Sequence, residues 1–264
     1  MPKIKVHDVQ LYYELEGDAN NEVILFLHGL GSSTRDWELQ IPYFSPHYRV
    51  LAIDMRGHGR SDKPAGPYAM VQFALDVIGV LDMLKIDLVH VVGLSMGGMI
   101  AFQMAVDYPQ RLRSMTIINS GPAVIVRTFK ERLGVWMRFG IVRLMGMRKM
   151  GETLAPRLFV DADQEVIRQT FINRWAENDP RAYLDAMRAI VGWSVADRIG
   201  QITIPTLVVA SDQDYTPVTA KEAYIANMSG VSLKIIENAH HALPAERPEQ
   251  LNKVVEDFIA CQRI

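Results

Sequence analysis

The stretch that decides the fold reads Leu88-Val89-His90-Val91-Val92-Gly93-Leu94-Ser95-Met96-Gly97-Gly98-Met99-Ile100-Ala101. Residues 88–92 are a continuous apolar run, which predicts a strand buried on both faces. Residues 99–106 are apolar almost throughout, which predicts a helix packed against that strand's sheet. Between them stands G-x-S-x-G. A nucleophile at the tip of a sharp strand-to-helix turn needs a strained backbone and small neighbours where strand and helix nearly touch, hence Gly93 and Gly97. The same turn presents N–H groups at a helix N-terminus, where negative charge is favoured.

Working outward, further apolar runs at 23–27, 50–53, 115–118, 207–210 and 233–236 read as strands, again continuous and so expected to be buried on both faces. Residues 4–9 and 11–15 alternate and predict an antiparallel edge hairpin. Segments 73–84, 217–228 and 248–259 have helical character, the last two each opening on a proline, which a first helical turn tolerates. Strands alternating with helices predict an α/β fold with a mostly parallel sheet and helices on both faces. Residues 122–203 break that rhythm. They read as several helices rich in Met and Trp, with 13 Lys+Arg against 9 Asp+Glu, a net of +4 where the rest of the chain carries −6. A helical insert between two strands is expected there. Its Met and Trp serve either ordinary helix packing or a lid whose underside lines an apolar pocket.

The 264 residues are 49% hydrophobic and 22% charged with a formal charge of −2. That is a globular composition with no basic excess for nucleic acid or an anionic membrane. The single cysteine, Cys261, rules out an internal disulfide framework. No leader-like apolar region and no uninterrupted apolar span long enough for a bilayer are found, so a cytoplasmic location is expected.

Three further loops carry candidate chemistry. After the run at 23–27 comes His28-Gly29-Leu30-Gly31-Ser32-Ser33, a glycine-rich turn whose amides can face a pocket. That of Leu30 is expected to pair with that of Met96 around a developing oxyanion. His28 reads as a structural hydrogen-bonder of this loop. After 207–210 comes Ser211-Asp212-Gln213-Asp214-Tyr215-Thr216-Pro217, offering two acids, Asp212 and Asp214. After 233–236 comes Glu237-Asn238-Ala239-His240-His241, offering two histidines as the base that a serine hydroxyl requires. Residues Asn119-Ser120-Gly121, after 115–118, hold no carboxylate.

With these motifs in place the chain resembles the α/β-hydrolase superfamily, and within it the capped carboxylesterase and enol-lactonase branch. Asp54-Met55-Arg56-Gly57-His58-Gly59-Arg60-Ser61-Asp62 matches that branch's D-x-R-G-x-G-x-S signature, which is structural in the family. The resemblance implies an eight-stranded, mostly parallel sheet, with a core of 1–121 and 204–264 and a helical cap of 122–203. The family order of serine, acid, histidine selects the two histidines after Ser95. The distance to Glu246 and Pro248 then selects His241, with His240 in the place of a glycine. The family's acid motif, G-x-x-D followed by a proline, selects Asp214, although Pro217 falls one residue early.

The resemblance thus implies a catalytic triad of Ser95, Asp214 and His241, an oxyanion hole from Leu30 and Met96, and no cofactor or metal. Serine at the elbow argues against the dehalogenase and epoxide-hydrolase branches, and Leu94 against the C–C hydrolase branch. The expected activity is hydrolysis of carboxylic esters of small to medium acyl chain. The alternatives are a lactonase of the enol-lactonase kind, a C–C hydrolase, or a ligand sensor without turnover. The expected partner is a small-molecule ester or lactone, not nucleic acid.

Overall fold

The apolar runs pair side by side. In the computed structural model, which describes residues 2–262, strands β1 (Lys3–Val6), β2 (Val9–Glu16), β3 (Val23–Leu27), β4 (Arg49–Ile53), β5 (Val89–Leu94), β6 (Leu112–Ile118), β7 (Thr206–Ser211) and β8 (Val231–Ile236) form one eight-stranded sheet. Its order is β1-β2-β4-β3-β5-β6-β7-β8. The hairpin β1–β2 and the pair β2–β4 are antiparallel, and every later pair is parallel. Around the sheet lie α1 (Ile41–Phe44), α2 (Met70–Met83), α3 (Met96–Asp107), α4 (Phe129–Leu158), α5 (Glu165–Ala176), α6 (Pro180–Ile190), α7 (Val218–Ile225), α8 (Leu243–Glu246) and α9 (Pro248–Ala260). This is the α/β-hydrolase architecture that the motifs imply.

The two-residue period of the strands divides the core in two. Leu25, Leu27, Leu51, Ile53, Val91 and Val208 point to one face, where Phe73 of α2 and Phe102 of α3 meet them. Ile24, Phe26, Val50, Val92 and Val209 point to the other, against Trp37 and against Leu251 and Ile259 of α9. Each such aliphatic side chain, fully withdrawn from water, contributes about 1.5–3 kcal/mol of transfer free energy. One expectation needs correction. The run at 233–236 is not buried on both faces: β8 is the last strand of the sheet, with one neighbour, and Ile235 is exposed. An apolar run alone does not reveal which strand stands at the edge.

Between β6 and β7 the chain leaves the sheet for α4, α5 and α6, which bury Val142, Met147, Met150, Trp175, Tyr183, Leu184 and Met187 among themselves. Thr128 and Glu131 close a capping box at the start of α4, satisfying N–H groups that no helical carbonyl can reach. Gly146, at φ +80°, divides α4 into two helical segments. No helix among the described residues is long and apolar enough to cross a membrane.

Candidate active site

Strand β5 lies between β3 and β6, so the turn after it opens at the middle of the sheet's carboxyl edge, where open α/β sheets place their sites. Ser95 occupies that turn at φ +53°, ψ −113°, in a left-handed region that a side chain enters only under strain of about 1–3 kcal/mol. The neighbours hold it there. The Ser95 N–H donates to Ile118 O at 3.0 Å, and its carbonyl accepts from Met99 N at 3.1 Å and from the Ser120 hydroxyl at 2.6 Å. The two flanking glycines are required by contact. A Cβ on Gly97 would stand 2.0 Å from Leu27 O, and one on Gly93 would stand 2.4 Å from the Gly97 backbone. The sequence spacing G-x-S-x-G is therefore a packing requirement between β3, β5 and α3.

The loop from His28 to Gly31 leaves β3 beside this turn. A Cβ on Gly29 would lie 3.7 Å from Ser95 Cβ. His28 is fully buried and acts as a brace. Its Nδ1 donates to Gly29 O at 2.7 Å and its Nε2 accepts from Met55 N at 3.0 Å, and burial pushes its pKa down to about 4. Met96 is the first residue of α3, so its N–H has no acceptor within the helix. The Leu30 amide and the Met96 amide thus belong to the two segments that flank Ser95. Asp36 supports the loop by accepting from Gly29 N at 3.2 Å and from the Ser32 hydroxyl. Burial raises its carboxyl to about 6, against the pull of those hydrogen bonds.

Of the two acids, the structure places Asp214 against the histidine. His241 Nδ1 donates to Asp214 Oδ1 at 2.7 Å. The second oxygen of Asp214 accepts from Lys221 Nζ at 2.7 Å and from the Thr216 hydroxyl. Burial works to raise Asp214, but His241 first, then Lys221 and Thr216, outweigh it and hold the carboxyl below its usual range. Lys221 is itself buried, 1% exposed, and its ammonium is shared between Asp214 and Thr216. Asp212 instead accepts from Ala239 N at 3.1 Å, which shapes the loop that carries the histidines. His240 is held by Glu246, with Nδ1 at 2.8 Å and its own N–H at 2.6 Å from the carboxylate. Asn119, at the end of β6, donates to the carbonyls of His240 and His241 and accepts from Ser211 N, tying the acid and histidine loops together.

The remaining nitrogen of the His241 ring meets a group that the sequence gives no reason to single out. The Tyr215 hydroxyl stands 2.7 Å from His241 Nε2, and the two rings lie 4.1 Å apart, 31° from parallel. With Nδ1–H committed to Asp214, Nε2 of the neutral ring is the acceptor and the phenol donates. The Asp214 charge beside it pushes the phenol upward, so it stays protonated at neutral pH. Tyr215, His241 and Asp214 therefore form one hydrogen-bonded chain. Tyr215 as a whole is 64% exposed, on the rim of this chain.

Arg138, on the inner side of α4, donates from Nε to the Tyr183 hydroxyl at 2.5 Å, and its charge is felt at Tyr215. Asn178, just after α5, donates to Gly31 O at 2.7 Å. Helices from the excursion thus touch the loop beside Ser95. The D-x-R-G-x-G-x-S residues lie in the framework. Asp54 accepts from the backbone N–H groups of Thr34 and Arg60, Arg56 is paired with buried Asp76, and His58 is lowered to about 3 by burial.

Comparison with known proteins places the chain. Residues 22–139 match the family model described as alpha/beta hydrolase fold. The chain is 30% identical to 3-oxoadipate enol-lactonase 2 of Acinetobacter baylyi, over 96% of its own length and 94% of that protein's. It belongs to the α/β-hydrolase superfamily. Within that superfamily it falls in the enol-lactonase branch. The solved enol-lactonase from Burkholderia xenovorans LB400 superposes with a TM-score of 0.90 at 28% identity, covering 98% of this chain and 100% of that one. The solved Est816, an N-acyl homoserine lactone degrading enzyme, superposes at 0.82 with 31% identity, over 97% and 100% of the two chains. The elbow at Ser95 lies inside the residues 22–139 that the family model matches.

Proposed function

We propose that this α/β-hydrolase is a serine hydrolase that cleaves a carboxylic ester through an acyl-enzyme on Ser95. The observation that carries the reading is the buried Asp214–His241 pair at 2.7 Å, on loops at the same carboxyl edge of the sheet as a serine held at φ +53° at the elbow. In the proposed reaction Ser95 Oγ attacks the ester carbonyl while His241 Nε2 takes its proton. Asp214 keeps Nδ1 protonated and stabilises the imidazolium. The amides of Leu30 and Met96 hold the oxyanion, a contribution of about 2.7–4 kcal/mol for each donor of this kind. Collapse of the tetrahedral intermediate expels the alkoxide, which takes the proton from His241. Water, deprotonated by the same nitrogen, then frees the carboxylic acid.

Nε2 has one lone pair, and in the resting arrangement the Tyr215 phenol holds it. The Ser95–His241 bond therefore forms when the phenol yields to a seated substrate. Residues 122–203 act in this reading as a lid on a core of 1–121 and 204–264, their contacts to Gly31 coupling lid to site.

A second reading is a lactone substrate, favoured by relatives named for opening lactones. The same steps apply, except that the leaving alkoxide stays tethered to the acyl-enzyme. Arg138 on the lid's underside offers a cation to an acidic ring.

Turnover of p-nitrophenyl esters from acetate to octanoate and of γ- and δ-lactones, by the protein and by Ser95→Ala, tests both. Repeated turnover that the variant loses is expected. Equal rates in the two proteins on every substrate would refute the reading.

A further inference from the structure

The first segment of α4, residues 129–145, is inside out. Its inner side, with Val135, Phe139 and Val142, packs against the Trp175 and Tyr183 cluster. On its outer side Phe129, Leu133, Trp136, Met137 and Leu144 are 72%, 42%, 63%, 56% and 83% exposed. Their spacing of four, three, one and seven residues sets them on a single stripe. At 1.5 Å per residue the segment is roughly 25 Å long. A stripe this continuous differs from the scattered apolar residues that any surface carries. It cannot turn inward without unpacking the opposite side, which is already seated.

Charge says what covers it. Residues 127–149 hold seven basic side chains and one acidic one, Glu131. Arg138 faces inward, and the other six, Arg127, Lys130, Arg132, Arg143, Arg148 and Lys149, are exposed. Lys130 borders one edge of the stripe, and Arg132 and Arg143 border the other. Glu131 is committed to the capping box. Among the described residues, no carboxylate forms an ion pair with Arg127, Lys130, Arg132 or Arg143. A second copy docking across a two-fold axis would set these basic edges against their own kind.

We propose that this outer side of α4 docks on an anionic lipid surface, with the stripe entering the headgroup layer and the arginines and lysines meeting lipid phosphates. A helix lying in the interface needs this combination of an apolar stripe and basic edges. A tryptophan on the stripe suits the same depth. The inference is independent of the ester reading. It concerns a different side of the chain, and its test does not measure turnover.

The test is sedimentation of the full chain with vesicles of phosphatidylcholine alone and of phosphatidylcholine with phosphatidylglycerol at a ratio of roughly 7:3. Binding to the mixed vesicles, weakened by salt and by about fivefold for each of Arg132→Gln and Arg143→Gln, is expected. Tryptophan emission should shift to the blue on binding, and Trp136→Phe should remove most of that shift. Leu133→Glu with Leu144→Glu should abolish sedimentation while melting cooperatively near the temperature of the unaltered protein. Three outcomes would overturn the proposal. They are no sedimentation with either vesicle, equal sedimentation with both, or a dimer in light scattering that Leu144→Glu dissociates.

Discussion

The turn at Ser95 and the outer side of α4 both break a folding rule, and they are held in opposite ways. At the turn a side chain sits where the backbone disfavours it, and contacts on every side keep it there. Ile118, Met99 and Ser120 take its backbone groups, and two glycines leave no room for a methyl. On α4 large apolar side chains sit where water disfavours them, 42–83% exposed. The strain at the turn is balanced inside the molecule. The exposure on α4 is balanced only by something outside it. Reactive geometry comes from the first arrangement and an adhesive surface from the second.

The same substitution at the two places should act with opposite sign. Gly97→Ala puts a Cβ at 2.0 Å from a fixed carbonyl and should destabilise the fold by more than about 4 kcal/mol, or leave it insoluble. Gly140→Ala, where a Cβ would meet nothing within 4 Å, should stabilise by about 0.5–1 kcal/mol, as alanine does within a helix. Urea unfolding of both variants checks this. Equal effects would remove the distinction between the two regions.

Asp36 measures how much the site costs the fold. Its carboxyl is raised from 3.8 to about 6, so burial favours the neutral form and the fold loses stability as pH rises from about 4 through about 6. Asp36→Asn should lack that loss. The difference between the two proteins should grow in the variant's favour by up to about 3 kcal/mol between pH 4 and 7. A difference that stays flat with pH would mean that the loop solvates the carboxylate fully.

Tyr215→Phe has the smallest expected effect. If the phenol only occupies His241 Nε2 between substrates, ester turnover stays within about threefold of the unaltered protein, a change of roughly 0.7 kcal/mol. A loss of about a hundredfold or more would make the phenol a relay between Ser95 and His241.

What the sequence discloses follows the same division. The elbow is legible because strand, glycine spacing and helix are all local, and the contacts at Gly93 and Gly97 leave few residue types free. The choice between Asp212 and Asp214 is not fixed by local sequence, since both stand at a strand end and Pro217 is one residue out of place. Only the fold, which brings Ala239 to one and His241 to the other, separates them. Tyr215, Lys221 and Asp36 leave no trace in the sequence. A tyrosine in a loop, a lysine in a short helix and an aspartate in a polar loop are ordinary surface residues until tertiary packing places them at His241, Asp214 and Gly29. The apolar stripe of α4 is equally hidden, because a helix's hydrophobic side is normally its inner side.

The most direct test is the mass of the intact protein after exposure to a fluorophosphonate, with peptide mapping of the adduct. If Ser95 is the nucleophile and His241 its base, one adduct forms, it maps to Ser95, and both Ser95→Ala and His241→Ala abolish or greatly slow it. A protein that stays unmodified, or one labelled at the same rate without Ser95 or His241, would contradict the serine mechanism.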